Sequence, residues 1–195
     1  APQEGDTTLF IQRIDPKNSK LGSSKTFERV TSYRLSSDGR WTIALIKAPL
    51  AERRQARIDK KKKEDMPQDS LLIIDNLTFE TYKIPGVKSY RTANEFNSHI
   101  TYTVSPTNDS VKNSAKQKDV LILRNLFTQE EDSFKHSKEH IFNKYGNSFV
   151  AIIEPDTKDT TDYKRVVFKD LKLNNQITIS SEPLEYKSLA FNEEG

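Results

Sequence analysis

One pattern, written again and again along the chain, limits what it can fold into. Tyr33–Ile46 (YRLSSDGRWTIALI) is an extended, half-apolar run, a Ser-Asp-Gly turn and a second run of Trp and β-branched residues. That is a β-hairpin with a mechanism: Gly39 supplies the positive φ a tight turn needs, and the Asp38 carboxylate can bond the turn backbone. Related runs follow at Tyr90–Val104 (YRTANEFNSHITYTV), at His140–Glu154 (HIFNKYGNSFVAIIE) and, cut short, at Tyr186–Gly195 (YKSLAFNEEG). Their turns match loosely as Asp38-Gly39, Asn97-Ser98, Tyr145-Gly146 and Glu194-Gly195.

A second element lies between the copies. It is an apolar strand ending in a polar pair and an aliphatic residue: Leu71–Leu77 (LLIIDNL), Val120–Leu126 (VLILRNL), Val166–Leu171 (VVFKDL) and, more weakly, Leu9–Ile14 (LFIQRI). Aligned on Leu77, Leu126 and Leu171, the copies recur about every 45–50 residues, the length of a propeller blade of four antiparallel strands. The expected fold is all-β: about three four-stranded antiparallel blades plus partial blades, an arc of a larger β-propeller occupying 1–195. The expected boundaries are a blade remnant at 1–31, blades at about 32–85, 89–135 and 139–181, and the start of a further blade at 185–195.

Within that frame, Thr8–Ile14 and Lys25–Thr31 read as two paired outer strands around the turn-rich Asp15–Ser24. Ser70–Asn76 and Thr81–Ile84 complete the first full blade, the latter as an edge strand ended by Pro85-Gly86. Tyr90–Glu95, His99–Ser105 and Asp119–Asn125 belong to the second, with a polar insertion at Pro106–Lys118. His140–Lys144, Ser148–Ile153, Tyr163–Asp170 and Gln176–Ser180 make the third, and Leu189–Phe191 opens a strand whose partner does not follow. The start at Ala1-Pro2-Gln3, without Met, reads as a trimmed or internal fragment, and no signal peptide is expected. Trp41, the single Trp, is expected to pack between blades.

Ala48–Ser70 is a basic insertion between two strands. Leu50–Asp65 holds good helix formers but a thin apolar stripe of Leu50, Ala56 and Ile58. Arg53, Arg54, Arg57 and Lys60–Lys63 make it basic, which reads either as an anion-binding patch or as a solvated face. No aromatic is interleaved for base stacking, which favours the solvated face. A net charge of +3 does not indicate nucleic acid as a partner. No run is long and apolar enough to span a membrane as a helix. The absence of Cys excludes disulfides and thiolate metal sites.

Chemistry is thin. His99, His136 and His140 are the only histidines. His136 and His140 have the i, i+4 spacing of a helical metal pair, but their surroundings read as turn and strand, and Glu139 completes no metal motif. Gly22-Ser23-Ser24 and Gly146-Asn147-Ser148 do not match the G-x-S-x-G nucleophile elbow, and six scattered glycines form no phosphate loop. The acidic Gln129–Asp132 falls in the next turn or edge strand, and Glu130-Glu131-Asp132 reads as a solvated turn. The sequence therefore offers no catalytic, cofactor-binding or metal-binding residue, and no cofactor is expected.

The pattern S-x-D-G-R-W, here Ser36–Trp41 within Tyr33–Ile46, resembles the N-terminal propeller of serine peptidases of the prolyl oligopeptidase family, Bacteroidetes-type members most of all. Arg54–Leu71, Lys83–Lys88 (KIPGVK), Asp119–Leu126 and Ala190–Gly195 (AFNEEG) are similar to stretches of that group. The resemblance implies a propeller that gates substrate access, with peptides as substrates. It also implies a C-terminal α/β-hydrolase domain carrying the Ser-Asp-His triad beyond this chain, and a periplasmic, cell-envelope or secreted location. A non-enzymatic propeller used as an interaction scaffold is the alternative, and a nucleic-acid binder acting through Lys60–Lys63 a weaker third. Unpaired blade edges at the two ends predict self-association.

Overall fold

The computed structural model describes residues 7–62, 65–104, 119–155 and 163–192. Its strands are β1 (Thr8–Ile14), β2 (Leu21–Glu28), β3 (Val30–Leu35), β4 (Trp41–Ile46), β5 (Ser70–Asp75), β6 (Thr81–Pro85) and β7 (Val87–Arg91), then β8 (His99–Val104), β9 (Val120–Asn125), β10 (Glu131–Lys135), β11 (Ser137–Phe142), β12 (Ser148–Ile153), β13 (Arg165–Asp170) and β14 (Asn175–Ser180). The α-helix among the described residues, α1 (Leu50–Ile58), lies in the basic insertion. Every strand lies beside its chain neighbour within its sheet: a pair β1–β2, then the four-stranded sheets β3–β6, β7–β10 and β11–β14. The chain divides into two compact units, Ala1–Lys88 and Ser89–Gly195.

The sequence explains which strands are central. β4 (WTIALI), β5 (SLLIID) and β12 (SFVAII) are nearly continuous apolar runs and are buried along almost their whole length. A strand apolar on both faces must be covered on both faces. β6 and β14 lie at sheet edges and are largely exposed.

The turns repeat atom for atom. In the first copy Ser36 N–H donates to Trp41 C=O (2.8 Å) and Gly39 N–H to Ser36 C=O (2.9 Å). In the third copy Asn143 N–H donates to Ser148 C=O (3.0 Å) and Gly146 N–H to Asn143 C=O (3.2 Å). Gly39 and Gly146 have φ of +71° and +68°, where a side chain is strained, and a Cβ on Gly146 would meet that of Ala93 at 3.0 Å. The Asp38 carboxylate accepts from Arg40 N–H (3.0 Å) and from the Ser36 hydroxyl (2.6 Å), as the turn chemistry predicts.

The loop after the third strand of each four-stranded sheet repeats more closely still. Asp75 Oδ1 accepts from Leu77 N–H (2.8 Å), Asn125 Oδ1 from Phe127 N–H (2.9 Å) and Asp170 Oδ1 from Lys172 N–H (2.9 Å). Each is an Asx turn, the side chain standing in for a backbone carbonyl. This geometry corrects the sequence alignment. Asp75, Asn125 and Asp170 are equivalent, so the partner of Leu126 and Leu171 is Asn76 and not Leu77. Asn76 is buried where the others carry Leu, and it satisfies itself by accepting from Thr42 Oγ1 (3.0 Å) and donating to Gly39 C=O (2.9 Å).

In the first unit the β1–β2 pair packs on sheet β3–β6 through Leu9, Val30, Ala44, Ile46, Leu72 and Ile74, with Ile11 and Phe27 alongside. Arg13 and Lys25 pin it by donating to the carbonyls of Leu77 and Phe79, each at 2.9 Å. In the second unit sheet β7–β10 meets sheet β11–β14 through Leu121, Leu123 and Phe134 on one side and Phe149, Ala151, Ile153 and Val167 on the other.

Several strand limits move. β2 starts at Leu21 and ends at Glu28, against an expected Lys25–Thr31, and Thr31 belongs to β3. β7 and β11 begin three residues earlier than expected, because the capping turn occupies the residues around Ala93 and Asn143. Leu189–Phe191 is not a strand, and no strand follows Ser180 among the described residues. Tyr186, Leu189 and Phe191 instead lie on Val150, Ile152 and Val166, and the Glu139 carboxylate accepts from the backbone N–H of Ser188 (3.2 Å) and Leu189 (3.0 Å). The expected further blade at 185–195 is thus an irregular strap over its described part. Pro106–Lys118 and the Glu194-Gly195 turn lie outside the described residues.

Candidate functional site

The second unit holds two sets of polar side chains, one where its two sheets meet and one, Tyr102, Arg124 and Glu131, on the other face of sheet β7–β10. β8 contributes His99 and Thr101, β11 His140, β7 Arg91, β10 Glu131 and Asp132, β9 Arg124 and β13 Lys169. Thr101 Oγ1 and His140 Nε2 share a hydrogen bond of 3.1 Å, and the Arg91 guanidinium donates to His140 C=O (3.1 Å). Lys169, buried, pairs with Asp132 from the facing sheet. Tyr102 donates to the Glu131 carboxylate (2.6 Å), which also pairs with Arg124.

Electrostatics follow from burial. His99 is pushed down to about 4, first by burial and then by the Lys169 ammonium, with Asp132 opposing. His140 is pushed down to about 4, first by burial and then by Arg91, with Glu139 opposing. Burial, then the hydrogen bond to Glu131, raises Tyr102 well above the usual phenol range. Both imidazoles are therefore neutral at pH 7. The Thr101–His140 pair has the hydroxyl-to-imidazole contact of an activated nucleophile, but Thr101 has no exposed surface, so no substrate reaches it. What this layer does is join two sheets. An ion pair and a hydrogen bond fix their register, whereas an apolar interface tolerates sliding.

The residues singled out in the sequence scatter. His136 sits at the β10–β11 link with φ +59° and His140 on β11. Four residues of extended chain separate them by about 13 Å, too far to share a metal ion. No group of three or more His, Asp or Glu suited to a metal occurs among the described residues. Glu131 and Asp132 are not a solvated turn. They belong to β10 and are paired, while Glu130 stays in the loop. Trp41 is buried. Lys60–Lys62 lie exposed beyond the end of α1, and Lys63 is outside the described residues. Sequence reasoning missed Lys169. A Lys in the middle of an apolar run (VVFKDL) is the signal that could have found it, since such a residue needs a buried partner.

Beside this layer, an open cleft of about 660 Å³ runs between β10 and the β13–β14 hairpin, walled by Phe134, Ile153 and Val167 and rimmed by Arg165, Gln176 and Thr178. One side of the cleft is formed by β10, which pairs with β9 alone.

Four-stranded meanders capped by the same turns and stacked face to face within the second unit decide the architecture. The sheets are β-propeller blades. No protein-family model and no curated protein sequence matches the chain. Among solved structures it is similar to the acylaminoacyl peptidase of Pyrococcus horikoshii (10% identity, TM-score 0.46, covering 90% of this chain and 30% of that one). It is also similar to the β-propeller domain of the Trilobed protease from Pyrococcus furiosus (11%, 0.45, 91% and 54%) and to the tricorn protease (10%, 0.45, 83% and 16%). The chain spans less than two thirds of each of these. No described helix is long and apolar enough to cross a membrane.

Proposed function

We propose that this chain is the non-catalytic, substrate-gating part of a propeller that belongs to a secreted bacterial serine peptidase of the prolyl oligopeptidase family. A C-terminal α/β-hydrolase domain on the same parent chain supplies the chemistry, and short peptides are the substrates. The observation that carries the reading is the threefold repeat of blade and capping turn, taken with the sequence resemblance at Ser36–Trp41 and Lys83–Lys88. The polar side chains that come together pair with one another, across two sheets or within one, which suits a wall better than an active site. Each sheet ends in strands with an open edge, and these edges pair with the rest of the parent or with a second copy.

The test is the chain's parent. Its sequence beyond Gly195 should contain a G-x-S-x-G in a strand–turn–helix setting. The intact enzyme should cleave short peptides and spare folded proteins. Deletion of the propeller should relax that size limit without abolishing cleavage of a dipeptidyl ester. A parent with no such elbow supports the interaction scaffold instead. Light scattering on the isolated chain reads the edges: a dimer is expected, and a dilute monomer with protected amides in β1 contradicts edge pairing.

A further inference from the structure

The basic character of the insertion is not used by the gating role. In the first unit a pocket of about 250 Å³ opens where the insertion leaves the sheet, and its charged lining is not the lysine run. It consists of Arg29, Lys47 and Lys83, with the polar Gln68 and Ser70 and one carboxylate, Glu52. The fold brings these together by register. Arg29 precedes β3 with φ +63° and its carbonyl accepts from Lys47 N–H (2.9 Å), so the two cations are adjacent at one end of the sheet. Ser70 is opposite both Ile46 and Pro85, which carries the end of β6, and thus Lys83, to the same end.

Among the described residues none of these three cations has a side-chain hydrogen bond or ion pair, whereas the neighbouring Arg53 is tied to Ala48 C=O (2.9 Å). Three like charges against one carboxylate around a single concavity repel one another, and burial of even part of that charge is relieved by an anion. The guanidinium offers a bidentate fork, and the hydroxyl and amide of Ser70 and Gln68 offer neutral donors.

We propose that this pocket binds a small oxyanion, of the phosphate or carboxylate class, through Arg29, Lys47 and Lys83. All of the site's lining residues belong to the first unit, and the proposal is independent of the peptidase reading. Glu52 weakens it, and Lys60–Lys62 take no part.

The probes are inorganic phosphate and acetate, titrated calorimetrically into the whole chain at low salt and again at about 0.15 M salt. Saturable binding of one anion per chain is expected, surviving physiological salt. Tighter phosphate points to a phosphorylated ligand and tighter acetate to a carboxylate terminus. Arg29→Gln with Lys83→Gln should weaken binding by about tenfold or more, and Glu52→Gln should strengthen it a few-fold. Lys60→Gln with Lys61→Gln and Lys62→Gln should leave it unchanged. If the double variant does not fold, Lys83→Gln alone, at an exposed position, carries the same reading. No saturable binding, or equal losses in the two lysine sets, overturns the site and leaves only diffuse positive charge.

Discussion

The two units use one blade plan and hold it together differently. The first packs its sheets through an aliphatic cluster, Leu9, Val30, Ala44, Ile46, Leu72 and Ile74, and keeps its polar pairs at the strand ends, where Arg40 meets Asp75 at 3.2 Å and Thr42 meets Asn76. The second packs through aromatics, Phe149 lying 5.4 Å from Phe134 and 5.5 Å from Phe142, and places a Lys–Asp pair and a Thr–His pair within the contact. The difference separates what a repeat copies from what it leaves free. Strand pairing and the capping turns are local and are copied. Contacts between sheets are long-range, and each pair of sheets has found its own.

The largest effect should come from the aromatic centre. Phe149→Ala, at a side chain with no exposed surface, should cost about 3–5 kcal/mol in urea unfolding. Ile74→Ala at the corresponding depth of the first unit should cost about 2–5 kcal/mol, and amide exchange should place each loss in its own unit. A loss spread evenly over both units would erase the distinction drawn above.

Next is the polar layer. Asp132→Ala strands a buried ammonium and should cost about 2 kcal/mol, discounted for the half-exposed carboxylate, while Lys169→Met should cost less because it removes the charge with the pair. Equal costs would mean that Lys169 reaches water.

The acid sensitivity of His99 and His140 should fall on the second unit, where both lie. His99 and His140 are held near 4 in the folded chain, against about 6.5 when unfolded, so between those values the unfolded chain binds protons that the folded one refuses. Stability should therefore be nearly unaffected by these groups above pH 7 and fall by about 2 kcal/mol for each of them by pH 5. His140→Gln should flatten part of that fall. A pH profile unchanged by the substitution would place the proton uptake elsewhere.

Asn125→Ala and Asp170→Ala each remove an Asx acceptor and should each cost about 1 kcal/mol, whereas Asp75→Ala should cost more because it also takes the buried partner of Arg40 away. The smallest effect belongs to Lys60, Lys61 and Lys62, whose replacement by Gln should change stability by no more than about 0.5 kcal/mol.

The sequence made legible what is local. Gly39 with Asp38, the apolar runs of β4, β5 and β12, and the repeating polar residue at Asp75, Asn125 and Asp170 each encode their own geometry within a few residues. The errors came where equivalence or partnership is long-range. Leu77 aligns with Leu126 in sequence because both are Leu. Only strand register shows that Asn76 takes that place and is satisfied by Thr42 and Gly39, brought in from another strand and turn. Glu131 and Asp132 looked solvated because Arg124, on the partner strand, and Lys169, on the facing sheet, cannot be assigned to them from spacing. Tyr186, Leu189 and Phe191 alternate loosely enough to suggest a strand, yet among the described residues they pair with no strand and cover an apolar face instead.

The central claim is that these blades form a wall and carry no reactive centre. A serine-directed fluorophosphonate, applied to the purified 195-residue chain and followed by intact-mass measurement, tests it most directly. The account predicts no adduct and no hydrolysis of peptidyl substrates by this chain. Stoichiometric labelling of a single Ser in this chain would contradict it.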